Sequence, residues 1–313
     1  MGALRVIEPG MLTTVQDLGR EGFAAFGAPV GGAADSLSLR VGNRLVGNQE
    51  GAAGIEMTLL GGVFEFEDDA VVAVVGGEVE ARLGEKAVES CAAVQVRRGG
   101  SLRIGRVLTG CRVYLCARGG VRVRQVMGSS STHLAVGIGG FERRALKAGD
   151  RVEIGEPAFL LPLPQGGGWG EGAVREQVRG MCDRRMVRLV VGSRFSAAAV
   201  RAFVGGEYKV LAQSDRVGLR LDGPTIEAPD GGRMISEGMM FGAVQVPENG
   251  KPIVLMADHP TTGGYPVVGC AASVDLPTLW QLRPGDLVRF EPVDGQVARQ
   301  LYRDREAILA GRG

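Results

Sequence analysis

VVAVVGGEVEARL, residues 71–83, contains two short apolar runs, 71–75 and 79–83, separated by a Gly pair and one acidic residue. The first run is almost entirely β-branched and the second alternates apolar with charged side chains, and both patterns are typical of β-strands. Comparable runs, punctuated by further Gly pairs, occur at 63–66, 94–97, 102–104 and 113–115. Strands so short and closely spaced favour a closed or sandwiched antiparallel sheet over βαβ units.

Helical patterns are few by comparison. They cover 36–46, which Asp35 can cap, 197–204, and the charged tail 296–310. The 51 Gly residues follow no collagen period and lie among Val, Leu and Ile runs, which indicates many tight turns between strands. We therefore predict an all-β, mainly antiparallel fold with a few short helices.

One internal similarity is visible. The segment LKAGDRVEIGEP (146–157) recurs as LRPGDLVRFEP (282–292), and in each copy a Gly-Asp turn leads into an alternating strand that Pro ends. Two interpretations stay open: a true repeat, which indicates two β modules, or a hairpin ending that is merely common.

The repeat predicts where the chain divides. We expect an N-terminal β module at 1–160, a linker at 161–187, a C-terminal β module at 188–293 and a helical tail at 294–313. The linker contains two prolines and three consecutive glycines, which suit an exposed connection.

The composition excludes several classes of function. The 36 basic and 35 acidic side chains nearly balance, so no concentrated basic face for nucleic acid is expected. No apolar run reaches the roughly 18 residues of a membrane span, and residues 1–8 lack the apolar core of a signal peptide. We expect a cytoplasmic protein that does not bind membranes.

Neither a disulfide framework nor a metal site is expected. The five Cys residues are irregularly spaced without a Cys-x-x-Cys pair, and the chain has two His residues. A phosphate-binding loop, a dinucleotide fingerprint and a nucleophile elbow are all missing from the sequence. The Met-Lys-Met segment that carries covalent biotin is missing too, so no covalent biotin is expected on this chain.

Three polar stretches are unusually rich in Gly. They are TTVQDLGR (13–20) with its continuation to residue 35, QSDRVGLRL (213–221), and a third formed by SEG (236–238), GAVQVP (242–247) and DHPTTGGYP (258–266). Such segments are too polar for a core and too long for a hairpin turn, so we interpret them as loops around a ligand. The plainer alternative is a surface ion pair of Asp17 with Arg20, a strained turn at 261–264 and a structural His259.

In these stretches the sequence resembles the allophanate hydrolase subunit 2 family, also called the KipA family. Its relatives include the carboxyltransferase domain of urea carboxylase and the C subunit of bacterial 5-oxoprolinase. The resemblance extends from about Leu4 to Pro292 and includes NRLVGN (43–48) with Glu56, and ISEG (235–238). The sequence departs from the usual family pattern at 30–35 and 258–260. The family implies two cyclophilin-like β-barrel modules in tandem.

The resemblance also implies a function. We expect the C subunit of an ATP-dependent 5-oxoprolinase, a hydrolase that opens the cyclic amide 5-oxoproline to glutamate. Its partners would be a KipI-like B subunit together with a LamB/YcsF-like A subunit. The chain would be inactive alone, and ATP would bind to it or to a partner. Two alternatives stay open: a biotin-dependent carboxyltransferase component acting on urea or a related amide, and a KipA-type regulator that binds a KipI-like sensor-kinase inhibitor.

The substrates of the family share a planar N–C=O group, whose recognition requires donors toward oxygen and an acceptor toward N–H. The residues that we predict to be catalytic are Gln245, Asp258, Thr262 and Tyr265. The residues that we predict to bind substrate are Arg216, Glu237 and Thr261, together with Gln16, Asp17 and Arg20. The last three either complete the pocket or hold the two modules together.

Overall fold

The computed structural model describes residues 2–156, 176, 178, 180 and 184–310. By its internal contacts the chain divides into two compact units. The first unit consists of Met1–Arg20 and Gly31–Asp183, and the second of Glu21–Val30 and Arg184–Gly313. Residues 21–30 thus group with the second unit, although the sequence places them in the first module. Most of the predicted linker lies outside the described residues, and the predicted domain boundaries stay a prediction.

The first unit is built on one antiparallel sheet, which has ten strands among the described residues. The strands are β1 (Gly2–Glu8), β2 (Leu12–Gln16), β3 (Gly54–Thr58), β4 (Val63–Phe66), β5 (Ala70–Leu83), β6 (Lys86–Val88), β7 (Ala93–Val96), β8 (Ser101–Ala117), β9 (Val121–Arg122) and β10 (Arg151–Ile154). The main path through the sheet follows the order β2-β3-β8-β4-β1-β10-β9, and β5 pairs with β6, β7 and β8.

The long strands β5 and β8 form the centre of this sheet. The sequence predicts separate strands at 71–75 and 79–83, but β5 continues through the Gly pair between them. Gly76 permits this, because it adopts φ +120° and a Cβ there would lie 2.4 Å from the Arg112 carbonyl oxygen. The register shifts three times between Gly76 and Ala81, so the strand bends without ending.

Helix α1 (Ser36–Leu45) confirms the helix expected at 36–46. Asp35 caps it by accepting a hydrogen bond from the Ser38 N–H at 3.0 Å. The helix packs closely on β8: a Cβ on Gly42 would lie 2.6 Å from the Cys116 sulfur. Burial raises the pKa of Cys116 to about 12, as expected for a thiol that acts as a small core side chain.

The second unit contains a closed barrel with the strand order β11-β18-β15-β16-β13-β12-β19. These strands are β11 (Met186–Val191), β12 (Glu207–Val210), β13 (Gly218–Asp222), β15 (Ala243–Gln245), β16 (Ile253–Leu255), β18 (Val267–Ala271) and β19 (Leu287–Pro292). Neighbours pair antiparallel except β11 with β19, which are parallel. A separate ribbon pairs β14 (Glu237–Gly238) with β17 (Thr262–Gly263).

Three helices of this unit are described: α2 (Ala197–Val204), α3 (Leu276–Gln281) and α4 (Gly295–Leu309). The first and last confirm the helices expected at 197–204 and 296–310, whereas the short α3 was not predicted. Phe203 of α2 packs inside the barrel, with its ring centroid 4.8 Å from that of Phe290 and 5.2 Å from that of Tyr208.

Each unit contains one copy of the Gly-Asp turn. In both copies the Gly N–H donates to a carbonyl of a neighbouring strand, and the N–H of that same strand residue donates back to the Asp carbonyl. All four bonds are 2.8 Å long, and they join Gly149 and Asp150 to Val6, and Gly285 and Asp286 to Val210.

The expected all-β, mainly antiparallel class with two barrel-like units and a few short helices is therefore confirmed. Within the described ranges, no helix combines the length and the apolar character that crossing a membrane would require.

Candidate functional site

The third polar stretch folds into the β14–β17 ribbon and the barrel strand β15. In the ribbon Glu237 lies opposite Gly263, and Gly238 lies opposite Thr262. A further backbone bond, from Met239 N to Thr261 O at 2.9 Å, extends the pairing. The ribbon therefore brings two parts of the sequence, 237–239 and 261–263, side by side.

Gln245 lies at the end of β15 and packs its side chain against this ribbon. A Cβ on Gly263 would lie 2.6 Å from Gln245 Nε2, so the amide occupies space that only glycine leaves open. The Gln245 residue is 6% exposed. Within the described part of the chain its side chain makes one hydrogen bond, from Nε2 to Met239 Sδ at 3.3 Å. Because a thioether is a weak acceptor, most of the hydrogen-bonding capacity of this amide is unused.

The two faces of the ribbon separate the predicted residues. Side chains alternate between the faces of paired strands, and directly opposite residues share a face. Glu237 therefore lies on the same face as the Gly263 position that Gln245 contacts. Thr262, one residue along, projects from the other face and is exposed. The structure thus places the Gln245 amide on the Glu237 side of the ribbon and the Thr262 hydroxyl on the opposite side.

Arg194, which the sequence did not single out, also contacts this face. It lies between β11 and α2, and its Nη2 donates to Glu237 Oε1 at 2.7 Å. The side chains are 40% and 51% exposed respectively. No local motif marks Arg194, because its partner is 43 residues away in the chain.

Arg216 and Asp258, both predicted to contact substrate, bind each other. Arg216 donates from Nε to Asp258 Oδ2 at 2.8 Å and from Nη2 to Oδ1 at 3.0 Å. Their side chains are only 6% and 3% exposed. The Arg216 guanidinium carbon also lies 5.9 Å from the ring centre of Trp280. This geometry anchors the base of the 258–266 loop, while the predicted roles toward substrate stay predictions.

Tyr265 and the adjoining backbone line an open cleft of about 630 Å³. The Tyr265 side chain is 43% exposed. The other residues that line the cleft are Arg233, Met234, Pro247, Glu248, Asn249 and Gly264. The loop from Thr261 to Pro266 therefore contacts the Gln245 amide through Gly263 and the cleft through Gly264 and Tyr265.

In the first unit, Asp17 is buried and binds a run of hydroxyl residues. Its carboxylate accepts hydrogen bonds from Ser129 Oγ at 2.7 Å, from Ser130 N at 2.5 Å and from Ser131 Oγ. It also accepts one from Gly19 N at 2.8 Å, which closes its own turn. Asp17 therefore fixes the segment 129–131 within its own unit.

Gln16 and Arg20 bind the same segment. Gln16 Nε2 donates to the Thr132 carbonyl at 3.0 Å, and Arg20 Nη2 donates to the Ser131 carbonyl at 2.5 Å. Both side chains are almost fully buried. This partner segment was not predicted, although its four consecutive hydroxyl residues, 129–132, are a usable signal. A role for Gln16, Asp17 and Arg20 in a substrate pocket stays a prediction.

Glu56, part of the family resemblance, lies in a buried network that holds the loop before α1. Its Oε2 accepts from the Tyr114 hydroxyl and from Ala34 N, each at 2.7 Å. The Tyr114 hydroxyl in turn accepts from Asp35 N at 2.7 Å. Burial, followed by the nearby Glu56 and Asp35 carboxylates, raises the pKa of Tyr114 well above its usual value. Tyr114 therefore serves here as a neutral donor.

Among the described residues, no three His, Cys, Asp or Glu side chains cluster closely enough to hold a metal ion. The expectations that this chain needs no metal and carries no covalent biotin stay predictions.

Similarity to known proteins is extensive. The family described as carboxyltransferase domain, subdomain A and B, matches residues 26–292. The C subunit of the 5-oxoprolinase of Escherichia coli (strain K12) is 38% identical over 306 residues, a match that covers 97% of this chain and 95% of that protein. The urea amidolyase of Lachancea kluyveri is 34% identical over 328 residues, which cover 98% of this chain and 18% of that protein.

A solved structure agrees with the sequence matches. The crystal structure of the K. lactis urea amidolyase is similar with a TM-score of 0.88 at 30% identity, over 99% of this chain and 20% of that chain. This chain therefore matches the E. coli 5-oxoprolinase C subunit over almost the full length of both proteins. It corresponds to about a fifth of each of the two urea amidolyases.

Proposed function

Because this chain belongs to the carboxyltransferase domain family, subdomains A and B, we propose that it is the C subunit of a multi-subunit 5-oxoprolinase. The observation that carries the proposal is the match to 95% of a relative with that name at 38% identity. The name of this relative also shows that proteins similar to this chain are subunits of an enzyme. In the proposed reaction the assembled complex opens a cyclic amide to an amino acid.

The partners and the cofactor are part of the same proposal. The partners are a KipI-like B subunit together with a LamB/YcsF-like A subunit. The cofactor is ATP, which the complex hydrolyses and which binds to this chain or to a partner. The isolated chain is inactive, and the cytoplasm is the proposed location.

The Gln245 amide suits recognition of an N–C=O group. Its NH₂ can donate to the substrate oxygen, and its carbonyl can accept from the substrate N–H, so one side chain can bind both ends of the amide. Its low exposure strengthens both bonds, because little water competes for them. Tyr265, from the same loop, offers a hydroxyl donor at the neighbouring cleft. The Thr262 hydroxyl projects from the ribbon face opposite to Gln245, so its expected catalytic role stays a prediction.

A second candidate is a carboxyltransferase component that acts on urea. It is favoured by the fold similarity to the K. lactis urea amidolyase over 99% of this chain. In that case a biotin carrier on another chain would deliver the carboxyl group.

Reconstitution distinguishes the candidates. The chain is co-purified with the KipI-like and LamB/YcsF-like proteins of its host and given ATP and 5-oxoproline. We expect glutamate and phosphate to form in the complete mixture, and neither to form when any one protein is omitted. Tyr265→Phe should lower turnover and change the unfolding free energy by no more than about 0.5 kcal/mol, because Tyr265 is exposed. Thr262→Ala, on the ribbon face opposite to Gln245, tests the predicted catalytic role of Thr262 separately, and full turnover in this variant would remove that residue from the site.

Other results would contradict the proposal. Glutamate formation by the isolated chain would show that no partner is needed. Carboxylation of urea with a carboxylated biotin carrier, without opening of 5-oxoproline, would favour the carboxyltransferase. If neither reaction occurs but all variants still bind the KipI-like partner, the regulator hypothesis is favoured.

A further inference from the structure

The guanidinium of Arg194 is available to a ligand. Within the described residues its side chain makes one hydrogen bond, from Nη2 to Glu237 Oε1. A guanidinium carries five N–H donors in a planar fork, so one edge is still free. The pair is exposed and therefore weak, and a second carboxylate can share or replace Glu237 with little loss.

Arg216, the cation that the sequence indicated, differs in both respects. It is buried, and two of its nitrogens already bind the two oxygens of Asp258. Removing Asp258 from this guanidinium would leave a buried charge without its partner, which is strongly unfavourable. Of the two arginines, Arg194 is therefore the better site for an anionic group of a ligand.

Two paired residues of the ribbon, Glu237 and Gly263, relate Arg194 to Gln245. Arg194 binds Glu237, which lies opposite Gly263 in the ribbon. The Gln245 amide occupies the space at the missing side chain of that same glycine. A positive group bound to Glu237 and an underused, nine-tenths buried amide packed against Gly263 thus share one ribbon face.

We propose that this face binds a small amide that carries a carboxylate, with Arg194 binding the carboxylate and Gln245 binding the N–C=O group. The inference rests on the proposed function for its choice of an amide as ligand. It goes further by assigning the charge of the ligand to a residue and by selecting a substrate class. A neutral amide such as urea has no group for Arg194, whereas 5-oxoproline carries a carboxylate next to its lactam nitrogen.

The test compares two ligands that differ in one group. 5-Oxoproline and 2-pyrrolidinone share the five-membered lactam ring, and only the first has a carboxylate. In the assembled complex, Arg194→Gln should raise the KM for 5-oxoproline about tenfold or more, because a charge-assisted bond is lost. The inhibition constant of 2-pyrrolidinone should change less than about twofold. Arg194→Lys should fall between the wild type and Arg194→Gln, since it keeps the charge but loses the fork.

Arg289→Gln is the matched control. Arg289 is also an exposed arginine of the second unit that pairs with a glutamate, Glu207, at 2.9 Å, but it lies on barrel strand β19 away from the ribbon residues. We expect this variant to keep the wild-type KM. A second comparison, Arg233→Gln, examines the cation that lines the Tyr265 cleft.

Calorimetric titration of the full chain with both lactams separates this inference from the proposed function. A complex without turnover would overturn the proposed function, and the loss of 5-oxoproline binding in Arg194→Gln would still support the inference. An unchanged affinity in Arg194→Gln, or an equal loss for both lactams, would overturn the inference. A larger loss in Arg233→Gln would place the carboxylate in the cleft and would also overturn it, as would a wild-type chain that binds neither ligand.

Discussion

Gly263 matters because of the side chain it lacks. A Cβ at this position would lie 2.6 Å from Gln245 Nε2 and 2.9 Å from Met239 Cγ, so both side chains must move in Gly263→Ala. We expect turnover of the complex to fall, since the amide no longer occupies its position. Because the close neighbours belong to flexible side chains that can shift, the unfolding free energy should fall by no more than about 1 kcal/mol. Steady-state kinetics and urea denaturation measure the two effects.

Gly264→Ala is the control for this substitution. The nearest atom to its Cβ would be the Met234 carbonyl oxygen at 3.2 Å, and the Gln245 amide is not among its close neighbours. Turnover should fall less than in Gly263→Ala. Full activity in Gly263→Ala would show that the position of the Gln245 amide is not needed for the reaction.

The buried pair of Arg216 and Asp258 leads to a prediction about stability. Asp258→Asn leaves a guanidinium that is 6% exposed without its carboxylate, and we expect the unfolding free energy to fall by about 3 kcal/mol or more. Glu248→Gln, in the exposed pair with Arg233, should change it by less than about 1 kcal/mol. A double-mutant cycle with Arg216→Gln that gives no coupling energy would contradict the prediction.

At the scale of single residues, the sequence indicated which polar side chains are of interest better than it indicated which side chains they contact. Gln245 packs against Gly263, which lies opposite Glu237 in the ribbon, so the polar stretch does bring these segments together. The sequence indicates Arg216 and Asp258 as separate polar groups, whereas their mutual contact spans 42 residues of sequence, which no local pattern reveals. Arg194 was missed for the same reason.

Among the elements, the Gly-Asp turn of the first unit is expected to respond to pH. Asp150 accepts two bonds from Arg144, 2.7 Å and 2.9 Å long, and one from Lys147 N at 2.7 Å. The hydrogen bonding to Arg144, followed by the backbone bond, lowers the pKa of Asp150 below its ordinary value of 3.8. The folded state therefore holds this proton less tightly than the unfolded state.

The sign of the effect follows from linkage. A lowered pKa adds stability that is complete above pH 3.8 and is lost as the pH falls through the folded-state pKa. We expect Asp150→Asn to be less stable than the wild type at neutral pH and to show a shallower loss of stability below about pH 4. Chemical denaturation at a series of pH values measures this difference. If the unfolding free energies of the two proteins fall in parallel as the pH is lowered, Asp150 does not contribute to the loss of stability in acid.

The ends of helices and strands were harder to predict from sequence patterns than their presence. The strand runs were predicted correctly, but β5 and β8 each join two of them, because Gly76 and the register shifts keep the pairing continuous through a bend. Helices α1 and α4 have Asp caps and long patterns, and both were predicted. Helix α3 has six residues, fewer than two full turns, which is too short for a periodic signal.

For the whole molecule, composition and strand spacing were sufficient for the fold class, and the ordered motifs were sufficient for the family. Residues 21–30, which group with the second unit, could not be assigned from sequence, because their neighbours in the chain belong to the first unit on both sides. The expected proximity of Gln245 to the 261–263 segment is present in the structure, while the role of these residues in a site stays a prediction. The strand register decides on which face of the ribbon each side chain lies. A single sequence does not specify this register.

Hydrogen exchange of the full chain tests the location of ligand binding. Binding to the ribbon face in the second unit should slow exchange of the amides at 237–245 and 261–266. Backbone amides of the first-unit core, such as those of β5 and β8, should be unaffected. The polar side chains of Gln16 and Asp17 are already bound to the segment 129–132, so we expect no added protection at 16–20. Protection at 16–20 with 5-oxoproline would instead assign this stretch to the pocket, and unchanged exchange at 237–245 would contradict the proposed site.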